Sequence, residues 1–222
     1  MTALATFLRF LHIVGVTDQP LAAALPKIAA HRRTVSCDLD EDAFTRLLGG
    51  CNTSRDVGLR DTAILTLLWR LGLRRSEISG LLIDDIDRRH GEITIRGKGN
   101  RHDILPIPID VGDTLVRHFQ EGHRRVPPGC RAVFVQTRAP DGPMSPYGIG
   151  DIVARLCHRA GLPVMGAHQL RRGTATQLVH AGATWPEIAQ ILQHRNVEVT
   201  ASYATVTLAL TRELARPWPG AR

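Results

Sequence analysis

Residues 167–203 read AHQLRRGTATQLVHAGATWPEIAQILQHRNVEVTASY, and the rest of the 222-residue chain is organised around them. His168 and Arg171 stand in a segment whose apolar positions, Leu170, Ala175, Leu178 and Val179, suit an amphipathic helix. Side chains at i and i+3 share a helix face, so this imidazole and guanidinium point the same way. Ala181-Gly182-Ala183 makes a turn. Thr184-Trp-Pro-Glu187 then has capping-box spacing, with Pro186 tolerated in the first turn of a second helix. That helix carries Ile188, Ala189, Ile191 and Leu192 inward and is expected to end near His194. Tyr203, one of two tyrosines in the chain, follows.

A base, a bidentate cation, a second imidazole and a phenol in one segment point to phosphodiester chemistry. A guanidinium fork matches two phosphate oxygens, imidazoles can donate to or accept from reacting oxygens, and a phenol can be a covalent nucleophile. Taken singly, the same residues also fit a basic surface helix, a capping histidine and a packed tyrosine. Their order, and what lies upstream, separates the two readings.

The formal charge of +7 and a pI near 10.0 favour a polyanionic partner, without separating DNA, RNA and membrane surface. A hydrophobic content of 43% and a charged content of 22% are those of an ordinary globular chain, long enough for one sizeable domain or a domain plus a fragment. All but two of the 28 basic residues are arginines, which makes Lys98 conspicuous in its polar turn. Cys37, Cys51, Cys130 and Cys157 show neither CxxC pairing nor zinc-site spacing and read as reduced, packed thiols. No apolar run reaches the roughly 20 residues that span a bilayer. The start of the chain, MTALATFLRFLHIVGV, is interrupted by Arg9 and His12 and reads as an amphipathic helix with Leu4, Leu8 and Leu11 on one side.

From Gly15 to Asp38 the chain reads as a linker. A helix starts at the acidic cluster Asp38–Asp42 and carries Ala43, Leu47 and Leu48 to Gly49-Gly50. The most apolar helix, Asp61–Leu71, is the expected centre of the core. Gly72 interrupts it, and helical pattern resumes over Leu73–Ile78. Arg74 therefore sits just beyond a buried helix, with Glu77 placed to hydrogen-bond and orient it, although a purely structural ion pair fits these two residues as well. Glu92–Arg96 alternates as a strand should, and Arg101–Ile109 is its expected partner across a hairpin tip at Gly97-Lys98-Gly99-Asn100. A helix over Val111–His123, a short strand over Ala132–Val135, a helix over Tyr147–Ala160 and a last helix over Thr207–Ala215 complete the pattern. Tyr147 reads as a packing residue at a helix start.

Gly72-Leu-Arg-Arg-Ser-Glu77, Gly97-Lys-Gly-Asn100, His168-Gln-Leu-Arg171, His194 and Tyr203 resemble, in order and spacing, the successive motifs of the tyrosine recombinase (phage integrase) family. The resemblance covers about residues 37 to 216. Arg172 suits the family's pattern after the HxxR arginine. Leu192-Gln193 departs from it, because the family usually has Leu-Gly before the second histidine.

The resemblance implies a mainly α domain with a small three-stranded antiparallel sheet, an α+β fold that acts on double-stranded DNA without metal or nucleotide cofactor. It implies a site-specific recombinase or integrase of a mobile element, cytoplasmic and nucleoid-associated, that self-associates into a synaptic tetramer on DNA. Tyr203 would attack the scissile phosphate to give a 3′-phosphotyrosine and a free 5′-hydroxyl. Arg74 and Arg171 would hold the non-bridging oxygens, His168 would accept a proton, Lys98 would protonate the leaving oxygen, and His194 would position the phosphate and Tyr203. Glu77 would support Arg74, and Arg75, Arg96, Arg101, Arg172 and Arg195 would bind the DNA. Residues 1–36 would be the last helix of an N-terminal core-binding domain plus linker, and residues 37–222 the catalytic domain. A non-catalytic DNA-binding remnant of a mobile element and a type IB topoisomerase are the other classes the sequence leaves open.

Overall fold

The computed structural model describes residues 2–25, 39–97, 101–122, 126–137 and 141–193. Lys98, His194, Arg195, Tyr203, Cys37 and the expected last helix at Thr207–Ala215 lie outside the described residues. The chain divides into two compact units, Met1–Ser36 and Cys37–Arg222. In the first, α1 (Thr2–Ile13) is followed by a single 3-10 turn at Leu21–Ala24. Leu8 and Leu11 of α1 are half-buried, whereas Phe7, Phe10 and Ile13 are exposed.

The second unit is built on α3 (Asp56–Arg70), whose residues from Gly58 to Trp69 are buried except for the half-buried Thr62. A helix apolar all round belongs at the centre of a core, and its neighbours pack against each side. They are α2 (Glu41–Gly49), α4 (Arg75–Ser79), α5 (Ile109–Gln120), α6 (Pro146–Arg159) and α7 (Ala167–His180), and α7 in turn carries α8 (Trp185–Ile191). The start of α3 lies five residues before the position its apolar run indicates. Gly58, Arg60 and Asp61 hide the periodicity there. A Cβ on Gly58 would stand 1.8 Å from the Asn52 carbonyl oxygen, so glycine is required for the preceding loop to fold onto the helix.

The sheet has the order β1 (Ile86–Asp87), β2 (Glu92–Gly97), β3 (Arg101–Pro106), all antiparallel. Ile93 pairs with Leu105 and Ile95 with Asp103, so Ile93, Ile95 and Leu105 face the core while Ile104 faces solvent. The third strand is Ile86–Asp87. Ala132–Val135, which reads as a strand in the sequence, makes only the isolated bridges Leu82–Ala132 and Val135–Pro143. The strand expected to run to Ile109 stops at Pro106, because Pro108 caps α5.

Local capping explains the helix starts. Asp40 Oδ1 accepts from the Ala43 N–H at 2.8 Å, and Ser145 Oγ from the Gly148 N–H at 3.1 Å. Glu187 accepts from both the backbone N–H and the hydroxyl of Thr184, each at 2.7 Å. Glu41 ties four helices together: its carboxylate accepts from Trp69 Nε1, from both Nη atoms of Arg70 and from Gln177, while Arg70 Nε reaches Asp110 of α5 at 2.6 Å. The Arg70 hydrogen bonds hold the Glu41 carboxyl far below its ordinary value, at about 2. Among the described residues no helix is long and apolar enough to cross a membrane.

Candidate active site

Gly72 turns the chain out of α3 in the left-handed region, φ +58°, where a Cβ would also stand 2.6 Å from a Leu192 methyl. This turn delivers Leu73 to the core and leaves Arg74 as the residue ahead of α4. The Arg74 backbone N–H donates to Glu77 Oε2 at 2.7 Å, and its Nη1 donates to Glu77 Oε1 at 2.5 Å. Glu77 thus caps α4 and fixes the direction of the Arg74 guanidinium with one carboxylate. The Glu77 side chain is 5% exposed, and that of Arg74 43%. One arginine is anchored at its root with its head at the surface.

Arg171 comes to the same carboxylate from α7, with Nη1 4.0 Å from Glu77 Oε2. Its environment is the opposite, with only 2% of the side chain exposed. Nη1 donates to the Gly72 carbonyl and Nη2 to the Leu192 carbonyl. The buried guanidinium therefore joins the end of α3 to the end of α8. Arg171 and Arg74 share a role in the sequence reading, yet the structure makes the first a pin inside the wall and the second its exposed face. Small residues allow that wall to close. Thr174 Oγ1 donates to the Trp69 carbonyl at 2.6 Å, and a Cβ on Gly173 would meet the Trp69 ring at 2.2 Å.

His168 lies at the start of α7, accessible to solvent yet partly shielded, on the side of Arg171, Arg172 and Arg74. Partial burial, then the charges of Arg171, Arg172 and Arg74, lower its pKa below the ordinary 6.5. The imidazole is therefore neutral at pH 7, able to accept a proton as well as to donate.

The flanking arginines fall into different settings. Arg96, on β2, is engaged by buried Asp85 through Nη2 at 2.7 Å and Nε at 3.1 Å, and Asp85 also accepts from the Leu82 N–H. Arg172 is half-buried beside His168, and Arg101 opens β3 opposite Gly97. Arg75 lies over the Tyr147 ring at 5.3 Å from its centroid. Tyr147 itself is 75% exposed, so it is a surface residue under a cation and not the packing residue its position suggested.

Helix α8 ends three residues earlier than expected, at Ile191, and the reason is local. Gln193 follows the cap in the left-handed region, φ 52°, the one non-glycine among the described residues to do so. Neither amide atom of its side chain, both buried, has a hydrogen-bond partner among the described residues. The Leu-Gln departure marks this place in the sequence, where glycine would end a helix without strain. The carbonyls of Gly72 and Leu192, which organise Arg171, carry no side-chain signal and could not be read.

The Phage integrase family model matches residues 38–209. The chain belongs to the phage integrase family. Among curated relatives this family member is 40% identical over 99% of its length to the provisionally named integrase/recombinase y4rA of Sinorhizobium fredii, covering 54% of that protein. It is 30% identical over 96% of its length to tyrosine recombinase XerD of Mycobacterium tuberculosis, covering 69% of that protein. The chain thus spans about half the length of the two Sinorhizobium fredii relatives, 54% and 52%. Of solved structures, XerA recombinase superposes with a TM-score of 0.68 at 22% identity, over 81% of this chain and 66% of that one. XerH recombinase bound to a palindromic difH substrate, a post-cleavage complex, gives 0.68 at 21% identity, over 82% and 53%. The fold is the α+β catalytic-domain fold of tyrosine recombinases and integrases.

Proposed function

We propose that this chain is the catalytic part of a site-specific DNA recombinase that breaks and rejoins strands through a 3′-phosphotyrosine. The observation that carries the reading is the Arg74–Glu77–Arg171 cluster beside His168, in a family member whose sequence continues to His194 and Tyr203 in the family's order. The exposed Arg74 guanidinium meets the non-bridging oxygens of the scissile phosphate, and charge that develops there is stabilised by a group already oriented before DNA arrives. Arg171 adds positive charge from within the wall and reaches the phosphate when the end of α8, whose Leu192 carbonyl it holds, gives way.

Tyr203 Oη attacks phosphorus and the bond to the 5′ oxygen breaks. His168, neutral at pH 7, takes the phenolic proton, Lys98 supplies one to the leaving 5′ oxygen, and His194 steadies the phosphate and Tyr203. A free phenol has a pKa of about 10, so neighbouring guanidinium groups assist ionisation. The phosphotyrosine retains the energy of the broken bond, and rejoining requires no nucleotide. The relatives and neighbours named as recombinases, one of them in a post-cleavage complex with a palindromic substrate, support DNA as the substrate; assembly of four protomers on paired sites is part of the same proposal. Residues 1–36 are read as the last helix of a core-binding domain and its linker.

Incubation of the chain with nicked duplexes of candidate flanking sequence tests this. A covalent protein–DNA adduct should form, vanish in Tyr203→Phe and persist in Tyr147→Phe, while both variants still bind DNA. An adduct that survives Tyr203→Phe assigns the nucleophile elsewhere and defeats the reading.

A further inference from the structure

A cleft of about 970 Å³ opens between the start of α3, the end of α2 and one face of α6. Four arginines line it, Arg55, Arg60, Arg155 and Arg159, against two carboxylates, Asp61 and Asp151. We propose that this cleft is a second anion site, which takes a small ligand bearing a di- or triphosphate group, of the nucleoside polyphosphate class.

The charge pattern is the first reason. Asp61 is buried and shared by two arginines: Arg60 donates to it through Nη2 at 2.7 Å and Nε at 3.0 Å, and Arg155 through Nη2 at 2.5 Å. One carboxylate thus serves two guanidinium groups. Among the described residues Arg159 donates to a neutral acceptor, the Gly50 carbonyl at 3.3 Å, and Arg55 is exposed at the head of α3. Arg155 and Arg159 stand at i and i+4 on one helix face, and with Asp61 and Asp151 as the carboxylates of the lining the four guanidinium groups retain an excess of positive charge. Such an arrangement stores positive charge that an anion relieves, and guanidinium forks suit phosphate oxygens in particular.

Size and lining narrow the class. A lone phosphate would occupy a small part of a cleft whose volume lies at the upper end of the roughly 300–1,000 Å³ of small-molecule sites. The arginines on α6 are spaced one helical turn apart, the reach of a short phosphate chain. Asn52, Gln136 and Thr137 provide amides and a hydroxyl for the ligand's organic part. The site is also separate from the one described above. Arg55 precedes the 15 residues of α3 and Arg74 follows them, so about 20 Å of helix lies between these two residues. The ligand therefore takes no part in strand cleavage, and the inference stands independently of the proposed recombinase chemistry.

Isothermal titration of the full chain with ATP, GTP, pyrophosphate, orthophosphate and a short duplex, in separate runs, is the test. ATP or GTP should bind with a Kd below about 1 mM, and pyrophosphate more weakly. Arg159→Gln and Arg55→Gln, both at exposed positions, should each weaken nucleotide binding by roughly tenfold, the loss of one charge-assisted contact, with thermal melting unchanged. Arg74→Gln should leave nucleotide binding as it was. The proposal fails if neither nucleotide nor pyrophosphate binds, or if orthophosphate binds as well as the nucleotides. It also fails if Arg74→Gln weakens nucleotide binding as much as Arg159→Gln, or if Arg159→Gln changes duplex affinity alone.

Discussion

The two halves of the candidate site are built to different standards. The half that leaves α3 is anchored in the most buried helix among the described residues, turns on a glycine suited to its φ, and satisfies Glu77 with partners on both oxygens. The half that ends α8 rests on a short helix, turns on a glutamine at φ 52°, and buries an amide with no partner among the described residues. Arg171 links the two by holding one carbonyl from each. Under the proposed function, a site that accepts a phosphodiester needs one rigid wall to pre-orient charge. It also needs a second whose free energy lies near that of an alternative arrangement, and strain of this kind concentrates where a segment has such a function.

The largest expected effect comes from the rigid half. Glu77→Ala removes the carboxylate between Arg74 and Arg171 and takes away a buried negative charge that faces both guanidinium groups. Breaking a buried pair in this way costs about 3–5 kcal/mol, and urea unfolding should show it as a lower midpoint at unchanged slope. Covalent adduct formation should fall further than stability alone explains, because Arg74 loses both anchors. Glu77→Gln should recover much of the stability and little of the activity. If Glu77→Ala costs as little as an exposed ion pair, the rigid wall draws its order from packing alone and the two halves do not differ in this way.

The same contrast separates what the sequence disclosed from what it concealed. Arg74 and Glu77 were legible together because a charge directly after an apolar helix has few ways to be satisfied, and a carboxylate three residues on is one of them. His168 and Arg171 were legible as sharing a face, but the burial of Arg171 was not, since its acceptors are backbone carbonyls from segments distant in the chain. Strand β1 was missed for a related reason: two residues carry no period, and only pairing with β2 makes Ile86–Asp87 a strand. Ala132–Val135 has the apolar run of a strand and becomes instead a segment packed under α5, where His118 stacks on Phe134 and meets the Val133 carbonyl at 3.2 Å.

The strained half supplies a smaller effect of opposite sign. Gln193→Gly removes a left-handed non-glycine conformation, about 1–2 kcal/mol, and a buried amide without a partner among the described residues, about 1–3 kcal/mol. Against this stands the greater backbone freedom of glycine in the unfolded chain, about 0.5–1 kcal/mol. The variant should therefore be more stable than the parent, with a higher melting temperature. Adduct formation should change in rate as the end of α8 settles. A melting temperature that drops would mean that the Gln193 side chain gains compensation from a group outside the described residues, and the second half would no longer count as strained.

The smallest effect is electrostatic and concerns the space between the halves. His168 has its pKa lowered by partial burial and by Arg171, Arg172 and Arg74, which places its titration below 6.5. A base whose folded pKa is depressed is neutral at pH 7. It adds a penalty to the folded state only once the pH falls below the unfolded value, when the unfolded chain takes up the proton first. Adduct formation that uses neutral His168 should accordingly hold level from pH 8 to 6.5 and decline beneath that, and His168→Gln should be slower and lack this decline. An NMR titration of the His168 ring isolates the cause. Arg74→Gln removes one of the like charges from the rigid half, and the midpoint should move up towards 6.5 without reaching it, since burial and the two α7 arginines remain. A midpoint unmoved by Arg74→Gln would mean that the exposed guanidinium and the imidazole do not sense one another, and so do not address one phosphate.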